Sequence, residues 1–177
     1  MTAWQIALLR TILAGSFLAA VVSSGSAQQA LPANSLLHKQ APAFSREGFN
    51  KEIVDLHACR GKVVLLNFWA TWCAPCQLEM PRLVEWQKQY GPRGLQIVGI
   101  SMDDDPTAAR TLYDKLRLNY PVAMGDEELG KLYGGILGLP VTFLIDADGR
   151  VAAEYRGETD LNAMEAQFRL LLPVPSN

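Results

Sequence analysis

GKVVLLNFWATWCAPCQLEMPRLVEWQKQY, residues 61–90, decides how the rest of the chain is read. It opens on a Gly–Lys turn, runs through a near-continuous apolar stretch, and carries Cys73 and Cys76 just before a helical pattern begins. The apolar stretch suits a strand buried on both faces. From Pro75 to Tyr90, Leu78, Leu83 and Trp86 fall near one face, while Glu79, Arg82, Glu85 and Lys88 fall elsewhere. That is the pattern of a surface helix, and GPRG at 91–94 ends it. The cysteine pair therefore sits where a strand hands the chain over to a helix N-terminus.

Downstream, LQIVGISM (95–102) is a second buried strand, and DDDPTAARTLYDKLRL starts a helix with Asp105 as N-cap and Pro106 at its first position. YPVAM is a short strand and DEELGKLYG (126–134) a short helix. LPVTFLID (139–146) and RVAAEYRG flank ADG (147–149) as a hairpin, and DLNAMEAQFRLLL (160–172) is a closing helix capped by Asp160. Alternating strands and helices, then a hairpin and a last helix, predict an α/β chain with a mixed central sheet and helices on both faces.

The first thirty residues differ from the rest. They hold one charge, Arg10, and no acid; TILAGSFLAAVV (11–22) is apolar, and Gly25 and Ala27 are small residues at −3 and −1 of a cut after Ala27. That is the plan of a secretory signal over 1–27. A retained anchor is the alternative: extension back to Ile6 gives 17 residues with Arg10 inside, against the roughly 20 apolar residues of a span. Residues 28–40 read as a proline-containing linker and 41–177 as one domain. Either way the domain is expected outside the cytoplasm, in the periplasm or its equivalent. The remaining composition is that of an ordinary globular protein, 49% hydrophobic and 19% charged. A net charge of −2 leaves no basic footprint for nucleic acid.

Three chemistries compete for Cys73 and Cys76. Zinc usually takes four ligands, and here there is one pair, with the only histidines, His38 and His57, upstream and no motif around them. A structural staple closing so short a loop would constrain the unfolded chain little. The redox reading uses the whole setting. A helix N-terminus favours a thiolate on Cys73, which can attack a partner's disulfide, and Cys76, a turn inward, can resolve the mixed disulfide. Pro75 lacks a donor that the first helical turn could not use.

NFWATWCAPCQLEMP and GLPVTFLIDADGRV together resemble the signatures of the thioredoxin-like superfamily, and within it the extracytoplasmic TlpA/ResA/DsbE-like branch, over about 41–172. The resemblance implies a thioredoxin fold and thiol–disulfide exchange, usually in the reducing direction, with no cofactor beyond the redox-active Cys73–Cys76 pair. It implies protein substrates carrying disulfides, apocytochrome c and copper-site proteins among them, and a membrane thiol reductant that recharges the pair. By position, Pro140 matches the cis-proline that faces the disulfide, and Leu139 should offer backbone groups to the bound partner. Glu79 matches an acid that shifts thiol pKa values or relays protons, with a solvated surface acid as the alternative. Asn67 stands where ordinary thioredoxins bury an aspartate, so that work falls to Glu79 or water. Trp72 should cover the site and shape docking. The segment between Met102 and Gly138 is longer than a minimal thioredoxin needs by about one helix and one strand.

The residues left over are read plainly. Asp103 to Asp105 are expected as a solvated loop and helix cap, and Cys59 as a small buried residue or an exposed thiol. Rival functions use the same two cysteines: a thiol-dependent peroxidase, a Cu(I)-binding chaperone, or an oxidase running the exchange backwards.

Overall fold

The computed structural model describes residues 35–173. The expected signal at 1–27 and the first part of the expected linker lie outside the described residues. Among those described, no helix is long and apolar enough to cross a membrane.

The apolar stretch beside the cysteines is the centre of the sheet. β3 (Val63–Trp69) is buried at every position, because both its faces are covered. It pairs in parallel with β4 (Leu95–Ser101) and antiparallel with β6 (Val141–Ile145). β5 (Val122–Met124) extends the sheet beyond β4 and β7 (Val151–Arg156) beyond β6, giving the order β5-β4-β3-β6-β7. The β6–β7 turn needs a left-handed residue, and Gly149, at φ 73°, supplies it.

Alternation along β3 divides the core. Val63, Leu65 and Trp69 share one cluster with α1 (Ala74–Tyr90), α2 (Pro106–Leu116) and α4 (Leu161–Leu171). Val64, Leu66 and Phe68 share the other with α3 (Glu127–Leu132) and the residues after it. The mixed sheet with helices on both faces is as expected. Asp105, Asp126 and Asp160 each cap their helix with a side-chain oxygen. The long segment before Gly138 holds α2, the edge strand β5 and α3.

Two features depart from the sequence reading. A small antiparallel hairpin, β1 (Ser45–Glu47) and β2 (Ile53–Asp55), precedes the main sheet. Part of the expected linker at 28–40 is docked rather than free. Ser35 and the Leu36 N–H both donate to the Glu154 carboxylate, at 2.9 and 2.5 Å. His38 N–H donates to Val151 O, and Val151 N–H donates to Lys39 O. These residues cover the outer edge of β7. At the opposite edge, Phe49 N–H donates to Val122 O and Gly48 bridges Ala123, which covers β5. A sheet edge presents unpaired N–H and C=O groups, and here the N-terminal part of the domain occupies both.

Candidate active site

β3 ends at Trp69, level with Ser101 at the end of β4, and the chain then turns into α1 with Cys73 as its N-cap. The Cys73 Sγ accepts the Cys76 N–H at 3.3 Å. This is one of the helix N-terminal donors that otherwise lack a partner. Cys73 and Cys76 are joined as a disulfide. The two sulfurs are unequal: Cys73 is 5% exposed and Cys76 is fully enclosed. Cys73 is thus less open than an exposed nucleophile would be, yet it is the one of the pair an incoming group can reach.

The cis-proline expected from the motif is present at Leu139–Pro140. It lies immediately before β6, whose first residue, Val141, is opposite Phe68, and this brings the loop beside the end of β3. Pro140 is buried and its carbonyl accepts the Gly157 N–H at 2.8 Å, while Leu139 is half-buried. Trp72 directly precedes Cys73 in the chain. It is 70% exposed, so it is not core packing.

Glu79 corrects the helical face read from sequence. Cys76, Glu79, Met80, Leu83, Trp86 and Tyr90 form the buried stripe of α1, and Leu78 is 77% exposed. At about 100° per residue, Leu78 lies about 140° around the axis from Leu83, whereas Glu79 lies only about 40° from it. Glu79 therefore enters the interior on the same face as Cys76. Its Oε1 accepts from Asn67 Nδ2 at 2.7 Å, and the same amide donates its second hydrogen to Thr142 Oγ1 at 2.9 Å. Burial pushes the Glu79 carboxyl up to about 7, against the lowering effect of the Asn67 bond. The Tyr120 hydroxyl is pushed above its usual range by burial and by the Glu79 charge nearby. An acid that titrates near neutrality one turn from the enclosed cysteine is suited to proton transfer.

Several residues of this arrangement were hidden in the sequence. Thr142 lies opposite Asn67 in the register of β3 and β6. Each is a lone polar residue in an otherwise apolar strand, and that pattern is the signal that could have paired them. Asp103 is buried rather than solvated. Its carboxylate accepts from the Thr71 N–H, the Thr71 hydroxyl and the Ser101 hydroxyl. Cys59 is half-buried, donates to Asp55 O at 3.6 Å, and has its thiol pKa pushed up by burial. His38 and His57 stand apart from the disulfide, beside β7 and beside Cys59 respectively.

Residues 37–154 match the AhpC/TSA family. A thiol-disulfide oxidoreductase ResA of Bacillus thuringiensis subsp. konkukian is 35% identical over 136 residues, 76% of this chain and 78% of that one. The ResA of Bacillus subtilis is 31% identical over 134 residues, 75% and 74% of the two chains. Among solved structures, a thioredoxin-family thiol:disulfide interchange protein of Chlorobium tepidum superposes with a TM-score of 0.69 at 31% identity. It covers 75% of this chain and 94% of its own.

Proposed function

For this chain, which belongs to the AhpC/TSA family of thioredoxin-like proteins and is a thiol-disulfide oxidoreductase, we propose work outside the cytoplasm as a reductase of protein disulfides. Its substrates are exported proteins whose cysteines must be free for haem attachment or metal-site assembly, and a membrane thiol reductant recharges it. The observation that carries this reading is the asymmetry at the start of α1, where Cys73 caps the helix and is 5% exposed while Cys76 is fully enclosed behind it.

In the reduced protein, the Cys73 thiolate attacks one sulfur of the partner's disulfide. A mixed disulfide forms, and the partner's other sulfur leaves as a thiolate that takes up a proton. Cys76 then loses its proton and attacks the Cys73 sulfur. The partner is released as a dithiol, two electrons richer, and the Cys73–Cys76 disulfide remains. The helix N-terminus stabilises the Cys73 thiolate. Glu79, deprotonated in part near neutral pH, takes the proton of Cys76. Leu139, before the cis-proline, and Trp72, before Cys73, meet the partner's chain.

The test is a pair of substitutions in a coupled assay. Cys73→Ser abolishes reduction of a protein disulfide, and Cys76→Ser accumulates a mixed disulfide that runs as a heavier species without reductant. Full activity in the Cys73 variant would overturn the assignment. The reduction potential decides direction: a value near thioredoxin's, about −270 mV, fits a reductase, and one near DsbA's, about −120 mV, makes the protein an oxidant.

A further inference from the structure

β3 and β4 end level with one another, Trp69 opposite Ser101. The two chains continue side by side, tied by Met102 N–H donating to Trp69 O at 2.7 Å. Two residues further on, Thr71 therefore meets Asp103. Both Asp103 oxygens lie 3.0 Å from the Thr71 nitrogen, and Oδ1 accepts the Thr71 hydroxyl at 2.5 Å. Ser101 Oγ donates to Oδ2 at 2.9 Å, which fixes the carboxylate from behind. On the other side, Gln77 in the first turns of α1 donates Nε2 to the Thr71 carbonyl at 2.7 Å. Every polar atom of Thr71 is thus engaged.

Cys73 is anchored as well, its N–H to Ala70 O and its carbonyl to Gln77 N–H. Trp72 lies between these two fixed residues, next to Cys73 in the chain, and its side chain is 70% exposed. A large apolar side chain facing water from a rigid backbone is the kind of group that contributes most to binding, because little freedom is lost when it docks. Hydrogen bonds to a carboxylate are stronger than neutral ones, and that suits Asp103 to holding a main-chain turn.

We propose that Asp103 is a positioning residue for partner recognition: by gripping the main chain and hydroxyl of Thr71, it fixes the direction in which Trp72 is displayed beside Cys73 to the protein whose disulfide is exchanged. Asp103 touches neither the partner nor the sulfurs and acts through Thr71 and Trp72. The inference rests on the reading that protein disulfides are the substrates.

The experiment uses the full chain with Asp103→Ala, Asp103→Asn, Trp72→Ala and the Asp103→Ala/Trp72→Ala double variant. Dithiothreitol-driven reduction of insulin gives KM and kcat. The Trp72 contribution to fluorescence anisotropy is taken as the difference from a Trp72→Phe chain, with and without Asp103→Ala. Asp103→Ala is expected to raise KM roughly five- to tenfold with kcat within twofold, and to lower the Trp72 anisotropy. Asp103→Asn keeps an acceptor and should fall between. The double variant should be no worse than Trp72→Ala alone, since both lesions remove one function. Additive losses in the double variant, a fall in kcat instead of a rise in KM, or an unchanged Trp72 anisotropy would each overturn the inference. If the unaltered chain does not reduce insulin, the reading of its substrates fails. The anisotropy then still decides whether Asp103 orders Trp72.

Discussion

Glu79 carries its carboxyl into the interior beside Asn67 and Thr142, and the cost of ionising it there belongs to the folded state alone. Burial lifts its pKa from 4.5 to about 7. Between those two values the folded chain keeps a proton that the unfolded chain has released. Stability therefore falls as pH rises through that window and levels off above it, by up to about 3 kcal/mol. Glu79→Gln removes the titration while keeping an oxygen that can accept from Asn67. Urea unfolding of the two proteins at pH 5 and pH 8 should show the parent losing stability over this range. The variant should change little and be the more stable of the two at pH 8. Parallel behaviour would mean that Glu79 ionises as freely in the fold as in the open chain.

At the scale of elements, α4 closes the face that α1 lines. Phe168 meets Trp86 and Tyr90 edge-on at 5.1 and 5.2 Å, and Arg82 and Tyr90 both bond Glu165. Its start depends on Asp160, whose side chain accepts from Asn162 and Ala163. Asp160→Ala should cost about 1 kcal/mol, within a range of roughly 0.5–2, read as a lower thermal midpoint with unchanged redox chemistry. This helix was legible in the sequence because its cap and apolar period are both strong, and β3 was legible because seven buried residues in a row leave few alternatives. The β1–β2 hairpin was not. Its strands have three residues each, with Val54 buried and its neighbour Ile53 exposed, too short a run for alternation to register. The inward turn of Glu79 was lost to Leu78, a large apolar residue that the helix leaves in water. The grip of Asp103 on Thr71 arises only once two strands end level, a relation between positions 32 apart that local pattern does not carry. The Cys73–Cys76 pair and the cis-proline were readable because each motif is contiguous, whereas the polar network near them is assembled by strand register.

The whole molecule closes its sheet with its own N-terminal residues, so removing them should do more than shorten a tail. A chain starting at Ala41 loses the bonds from Ser35 and Leu36 to Glu154 and the two main-chain bonds with Val151. It should unfold at lower denaturant concentration and associate through the bared β7 edge. Light scattering against concentration checks this, and a truncated chain that stayed monomeric would show that β7 is protected by something else. The same strand-by-strand layout separates the three cysteines. Cys59 precedes β3 and Cys73 follows it, and seven strand residues span about 20 Å, several times the separation a disulfide allows. The third thiol cannot join the exchange within one molecule. Each molecule therefore holds one pair of electrons at most, with no internal reserve and no internal short circuit, and every exchange, in whichever direction it runs, must be reversed in a separate encounter before the next can occur.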